Sequence, residues 1–519
     1  MSPRWIRWRT PAAAALSGLL FALAFPPVGA VVLLPIALVP WLVALTGEES
    51  RGRALLSGIV FGLVHWCAAI PWIVYVVTHY GGQSAVMGVV CLVILALILA
   101  EWPALVAFGA AASAPAGSPL RLAAFPILWA AAEHARIVVY KGFPWNLTGH
   151  ALFRHPIWMQ TASIWGVVGL GGAVAAVAAL LAAAVRARST RSLWVAAVLV
   201  LAAGGWGAAR LVRPGPDRGT VSVALLQPNQ TEEMRATPEG AARSYAEVVA
   251  LAREAASRMP ALIVIPESAF PLYWDRSQRL RQDLASISMK GPSVLFNDIA
   301  EDGDRFYNAA RLLTPRGLAG APYRKVHLVP FGEYVPLPRL FFFVRQISTE
   351  IGTFSAAEEP EIVRSGPLAI GVGICYEILY PSLSRRETAS GANLLTTISN
   401  DSWYGRAGAQ EQHFAGAVLR SVENERWLLR AAITGVSGIV DSRGRIVAES
   451  EPDTRTIVDG EVRLVETTTA WTRWGWRIPV AVDAAAALVL TYGLARFVRE
   501  RRSRRGPRAA GRAPEELLP

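Results

Sequence analysis

Cysteine is nearly absent from this chain. Three occur in 519 residues, Cys67, Cys91 and Cys375. The first two lie in long apolar segments, so Cys375 has no disulfide or metal partner in its own domain, and a disulfide-stapled scaffold is excluded. A cysteine so placed is either inert core or a nucleophile. Charge is scarce too: Asp, Glu, Lys and Arg make up 17% of the chain and are spread unevenly. There is no RNA- or DNA-binding motif and no internal repeat, which sets aside nucleic-acid partners and repeat architectures. The net charge of +12 therefore needs another account.

What is abundant is apolar sequence. A spanning helix needs ~20 mainly apolar residues. Eight segments are expected to span: 11–25, 28–46, 54–77, 84–112, 120–140, 157–185, 192–209 and 478–495. A cleaved signal peptide over residues 1–25 competes with the first. Pro26-Pro27 makes a poor cleavage site and further spans follow at once, so a retained helix is expected. The organisation is then a seven-helix membrane domain over 1–209, a soluble α/β domain over 220–470, a last span over 478–495 and a basic tail over 496–519.

Arginine placement gives the orientation. Arg4, Arg7 and Arg9 precede the first span, and Arg51, Arg53, Arg121, Arg186, Arg188 and Arg191 follow alternate spans. Thr78 to Gln83, on the other side, has no Lys or Arg. Positive loops stay in the cytoplasm. Both termini are expected there, with the soluble domain on the outer side, and the positive charge reports topology and anionic lipid contact. His65, Glu101 and His134, in or near the spans, are expected to pair internally, and Glu133 and Arg136, one turn apart, with each other or with headgroups. Trp471, Trp474 and Trp476 suit an interfacial belt.

Within 220–470, apolar strand-like runs alternate with helical spacing over 238–258 and 411–429. Polar residues follow the strand-like runs: Glu267 after Ala261–Ile265, Cys375 after Leu368–Val372, and Asn400-Asp401 after Leu394–Ile398. Strand ends are where layered α/β folds build sites. A thiol nucleophile needs a base, and donors to hold the oxyanion. His327 and His413 are possible bases, but nothing around them resembles a Cys–His protease. Glu267 and Lys325 are the better partners.

Pro266-Glu267-Ser268, Arg324-Lys325-Val326-His327-Leu328 and Gly373-Ile374-Cys375-Tyr376-Glu377 resemble the three signature elements of the nitrilase superfamily. Its Glu-Lys-Cys triad occurs in that chain order on an αββα sandwich. The run from Lys325 to Pro336, Cys375-Tyr376-Glu377, Asn400 to Gly405 and Gly142-Phe143-Pro144-Trp145 are similar to the apolipoprotein N-acyltransferase family, as is the eight-span layout. The resemblance covers nearly the whole chain except its last two dozen residues.

The resemblance implies an α-helical membrane bundle joined to a nitrilase-like domain in a bacterial cytoplasmic (inner) membrane. It implies Glu267 as general base, Lys325 as oxyanion partner with the Tyr376 backbone N–H, and Cys375 as the acyl-carrying nucleophile. Glu333 and Glu377 would orient Lys325 or Cys375. The acyl donor would be a phospholipid, phosphatidylethanolamine, and the acceptor a diacylated apolipoprotein. The enzyme would be a monomer needing no metal or cofactor. Trp403 and Tyr376 are either core aromatics or substrate contacts. Phe341, Phe342 and Phe343 are either a loop dipping into lipid or a buried helix face. Two other functions compete: a membrane-tethered amidase acting on a soluble amide, and a transporter or receptor whose outer domain only binds ligand.

Overall fold

In the N-terminal bundle the helix Arg51–Ala69 packs closely against Glu101–Ser113. Gly58 and Gly62 make the approach possible: a Cβ on either would lie 2.4 Å from Ala104 Cα or 2.6 Å from Ala100 Cα. Small residues that let backbones touch are how helices associate in lipid. This computed structural model describes residues 4–213, 215, 218–330, 332–334 and 354–504. Phe341, Phe342 and Phe343 lie outside the described residues, as does the end of the basic tail from 505 onward.

Among the described residues, five helices are long and apolar enough to cross a membrane, not the eight expected. They are Arg51–Ala69, Ala85–Ser113, Ala162–Ala187, Thr190–Val212 and Arg477–Glu500. The first expected pair is realised as shorter apolar helices, Arg9–Leu23 and Leu33–Gly47. The expected 120–140 span is the helix Leu120–Val138, which carries Arg121, Glu133 and Arg136. Arg121 is buried and donates to the carbonyls of Leu45 (3.1 Å), Glu48 (2.5 Å), Ala111 (3.1 Å) and Ala114 (3.0 Å). It thus meets the unpaired C-terminal carbonyls of two neighbouring helices, where a cation is favoured. The 84–112 segment breaks at Ala100, because Pro103 cannot return a hydrogen bond to Leu99.

The buried polar groups of the bundle divide. His134 Nδ1 pairs with Asp483 at 2.8 Å, and Glu133 lies 3.8 Å from Arg136. His65 Nδ1 and Glu101 Oε1 have no hydrogen-bond partner among the described residues, contrary to the expected pairing. Glu133 accepts from the Thr148 N–H (2.6 Å), and Arg136 donates to the Trp145 carbonyl (2.5 Å). The Gly142–Thr148 loop is therefore held by two charges of the helix beneath it.

The rest of the chain builds two facing sheets. One has the order β13 (Thr456–Arg463), β1, β2, β3, β4, β5 (Gly317–Leu318), with β6 beside β4; the other has the order β12 (Ile446–Glu449), β11 (Gly438–Val440), β10, β9, β8, β7 (Ile362–Ser365). The strands that matter are β1 (Thr220–Gln227), β2 (Leu262–Val264), β3 (Ser293–Asp302), β4 (Arg305–Thr314), β6 (Tyr323–Arg324), β8 (Leu368–Ile374), β9 (Leu394–Ser399) and β10 (Leu428–Ala432). Strands β1-β2-β3 and β8-β9-β10 run parallel. Alternation sorts the faces. Val221, Val223 and Leu225 meet Ile370, Val372 and Ile398 between the sheets, while Ala224 and Leu226 face the helices Pro238–Ser257 and Gln278–Ser288. The far side of the second sheet is covered by Pro381–Ala389 and Ala409–Asn424, whose core is continuous with the membrane bundle. The layering is helix–sheet–sheet–helix.

One boundary and one belt residue differ from expectation. The helix expected over 411–429 stops at Asn424, because Glu425 turns left-handed at φ 53°, and β10 starts at Leu428. Trp471 is buried, and a Cβ on Gly166 would lie 2.5 Å from its ring. Of the three tryptophans expected in a belt, Trp474 and Trp476 are exposed, as a belt requires.

Candidate active site

Three parallel strands end at the same place. Glu267 follows β2, Cys375 follows β8 directly and Asn400 follows β9. Lys325 follows β6, which pairs with β4, and its N–H donates to the Asn308 carbonyl at 2.8 Å. The sequence order Glu–Lys–Cys is thereby converted into one cluster.

Lys325 is buried. Its Nζ donates to Glu333 Oε1 at 2.9 Å and lies 3.7 Å from Glu267 Oε1. Asn308 Nδ2 donates to both carboxylates, at 2.9 Å to Glu267 and 2.8 Å to Glu333. The second Glu267 oxygen accepts from the Asn400 N–H at 2.9 Å, and the second Glu333 oxygen from the Val329 N–H at 2.8 Å. Burial disfavours the ammonium form of Lys325, but Glu333 and then Glu267 outweigh it and raise its pKa, so it stays protonated. Cys375 is also buried. Burial and the Glu267 charge push its thiol up, and Lys325 pulls it down without reversing the direction. The resting group is a thiol.

Glu377 holds the Lys325 loop to the Cys375 turn. One carboxylate oxygen accepts from the Val326 and His327 N–H groups (2.7 and 2.9 Å) and the other from Tyr323 Oη (2.8 Å) and the Ile374 N–H (2.9 Å). Burial raises its pKa from 4.5 to about 7, against the opposing pull of Lys325 and these donors. A raised carboxyl pKa gives stability that is present below pH 4.5 and lost as pH rises through about 7. The wild-type protein should therefore lose of order 3 kcal/mol relative to Glu377→Gln between those limits. Chemical denaturation of both proteins across that range checks it, and parallel curves would contradict it.

Cys375 has φ 54°, a left-handed conformation unusual outside glycine, and opens the short helix Cys375–Leu379. A buried network that the sequence did not reveal lies below it. His413 Nε2–H donates to the Cys375 carbonyl at 3.0 Å, while His413 Nδ1 lies 3.0 Å from Asp401 Oδ1 and 3.2 Å from Arg430 Nη2. Arg430 donates to Asp401 Oδ2 at 2.5 Å, and Ser399 Oγ to Asp401 Oδ1 at 2.7 Å. Contrary to expectation, potential metal ligands do stand near Cys375, since donor atoms of Cys375, Asp401 and His413 lie within 4.8 Å of one another. Arg430 and Ser399 already occupy Asp401, and a guanidinium beside it opposes a second cation, so the donor set does not fit a metal.

The remaining expected site residues are dispersed. The Tyr376 ring is buried and stacks on Trp145 of the membrane part (6.3 Å, 17°). Trp403 is half-buried against Tyr80, 4.6 Å between ring centroids, at the loop joining two membrane helices. The His327 ring stacks on Tyr380 at 4.1 Å. Asn308 was not legible as a site residue, since a lone asparagine in a strand carries no local signal.

The sequence profile of the apolipoprotein N-acyltransferase N-terminal domain matches residues 17–180, and that of the carbon-nitrogen hydrolases matches residues 222–472. Apolipoprotein N-acyltransferase of Geobacter metallireducens is 35% identical over 490 residues, covering 92% of this chain and 94% of the relative. That of Allorhizobium ampelinum is 30% identical over 461 residues, covering 85% and 87%. Among solved structures, Saccharomyces cerevisiae Nit3, a member of branch 10 of the nitrilase superfamily, is 21% identical with a TM-score of 0.37, covering 48% of this chain and 93% of that one. With a helical N-terminal part rich in membrane-length helices, a carbon-nitrogen hydrolase fold and relatives matched over most of its length, this chain belongs to the apolipoprotein N-acyltransferase family.

Proposed function

We propose that the protein moves an acyl chain from a phospholipid, phosphatidylethanolamine, to the α-amino group of the diacylglyceryl-cysteine at a lipoprotein N-terminus. The observation that carries this reading is the ammonium of Lys325 held between Glu267 and Glu333 beside a buried thiol, in a domain whose nucleophile turn rests on the membrane part. Because Cys375 rests as a thiol, a base must take its proton during attack. Glu267 takes it, and sulfur adds to the ester carbonyl. Lys325 and the Tyr376 N–H hold the oxyanion. The lysophospholipid leaves with the proton returned by Glu267, and a thioester remains on Cys375. The lipoprotein amine then attacks the thioester, gives its proton to Glu267, and leaves as an amide while the Cys375 thiol re-forms. No redox or metal step enters.

Glu333 and Glu377 act as positioning groups for Lys325 and its loop. Trp403 is assigned to substrate contact at the membrane surface, with the protein acting as a monomer. The helices Arg4–Leu23, Leu33–Gly47 and Leu120–Val138 join the five longer ones as crossings, giving eight. Both termini are cytoplasmic, and the 220–470 domain faces outward from a bacterial inner membrane. The charged loops Arg51–Arg53 and Arg186–Arg191 support that orientation.

Incubation with phosphatidylethanolamine vesicles and a diacylated lipopeptide tests the reading by mass spectrometry. An acyl adduct on Cys375 and a triacylated product are expected; hydrolysed acyl chain alone would favour an amidase-type hydrolase. Glu267→Gln should also slow alkylation of Cys375 by iodoacetamide by about 10²–10⁴-fold. Unchanged alkylation would remove Glu267 as base.

A further inference from the structure

The left-handed turn at Cys375 must be held by something, and its carbonyl has one buried donor, His413 Nε2. His413 is fully buried. Only an N–H can bond a carbonyl, so the proton is assigned to Nε2. Nδ1 lies 3.0 Å from Asp401 Oδ1 and 3.2 Å from Arg430 Nη2, whose guanidinium is itself fixed on Asp401. The ring is thus oriented from one side and bonded to the nucleophile's own backbone on the other.

The residue before it has an equally specific environment. Gln412 is buried, and all four of its amide hydrogen-bonding positions are filled by membrane-part groups. Oε1 accepts from Trp145 Nε1 (2.6 Å) and Trp72 Nε1 (3.2 Å), and Nε2 donates to the carbonyls of Ala69 (2.7 Å) and Pro26 (2.8 Å). Three loops far apart in sequence therefore converge on one side chain. The Trp145 ring also packs on His413, with centroids 5.5 Å apart, and on Tyr376. The helix carrying both residues lies close under the nucleophile turn: a Cβ on Gly416 would sit 2.2 Å from the Leu379 side chain.

We propose that Gln412 and His413 are positioning residues that set the Cys375 turn in register with the membrane loops, so that the thiol is aligned for attack only while its domain is docked on them. This rests on Cys375 being the nucleophile, and it goes further by making the membrane part a support of the reaction centre as well as an anchor. Glutamine in place of histidine keeps an amide N–H near the Nε2 position, whereas asparagine keeps one only near Nδ1.

The test uses the full-length protein in phosphatidylethanolamine vesicles, with the rate of acyl-Cys375 formation and the thermal midpoint read together. His413→Asn is expected to slow acylation by about 10²-fold, the cost of a misplaced reacting group, and His413→Gln to recover most of that loss. Gln412→Glu, which turns an oxygen toward the Ala69 and Pro26 carbonyls, should slow acylation although it touches neither Cys375 nor substrate, with KM for the phospholipid unchanged. If His413→Asn does not fold, Gln412→Glu and His413→Gln decide. Acylation at the wild-type rate in His413→Asn, or in Gln412→Glu, overturns the proposal, as does a His413→Gln protein that folds and is no faster than His413→Asn. A wild-type protein that forms no acyl-Cys375 while still making triacylated product would overturn the nucleophile assignment instead.

Discussion

Cys375→Ser should fold and make no detectable triacylated product. The hydroxyl is nearly isosteric with the thiol, so the buried site keeps its shape and its Lys325–Glu267–Glu333 contacts. What changes is the chemistry. Serine's hydroxyl is a much weaker acid than a thiol, and its acyl form is an oxygen ester, which amines attack far more slowly than a thioester. Both half-reactions suffer, and loss of an activated nucleophile costs on the order of 10⁴–10⁶ in rate. The measurement is triacylated lipopeptide by mass, with the thermal midpoint as control. Turnover within tenfold of wild type would refute the acyl-enzyme route. The slow oxygen ester is a second readout: a faint acyl-Ser adduct on residue 375 would show that Lys325 and the backbone still hold the oxyanion after the nucleophile has been weakened.

Glu267 and Cys375 were legible because they follow apolar strand-like runs, a local signal that needs no tertiary information, and Lys325 through the Arg324–Leu328 motif. Glu267, Lys325 and Cys375 do meet in space, and so does Glu333. The groups that hold them were not legible. Asn308 bonds two carboxylates from the middle of a strand, and Asp401, His413 and Arg430 are brought together only by packing of a helix on a sheet. Gln412 reads as one polar residue on an amphipathic helix until three membrane loops are placed around it. Five of the eight expected spans are realised as membrane-length helices among the described residues, and the difference has a related cause. Apolar length was the only criterion available, and length cannot show that Arg121, in the expected 120–140 span, will be satisfied by four carbonyls of neighbouring helices and loops. The helix expected to run to residue 429 ended early because Glu425 adopts a left-handed conformation that no hydrophobic pattern encodes.

Lys325→Met should damage activity and stability together, and a second substitution should separate the two. Methionine fills most of the lysine's volume without its charge. It leaves Glu267 and Glu333 facing each other across Asn308 with no cation between them. An ion buried without its partner costs about 3–5 kcal/mol, or the carboxylates take up a proton to avoid that cost. Transition-state stabilisation falls as well: one missing oxyanion donor is worth about 10²–10³ in rate, and the cation that favours thiolate is lost at the same time. Arginine does not restore it, because a guanidinium fork is larger than the fully enclosed site of an ammonium. Adding Glu333→Gln to Lys325→Met removes one of the two stranded charges and leaves Asn308 an acceptor. The double variant should regain much of the thermal stability lost by the single one while acyl transfer stays absent. Recovery of transfer along with stability would mean that Lys325 serves only to neutralise its neighbours, and the oxyanion role would then have to be given to backbone donors alone.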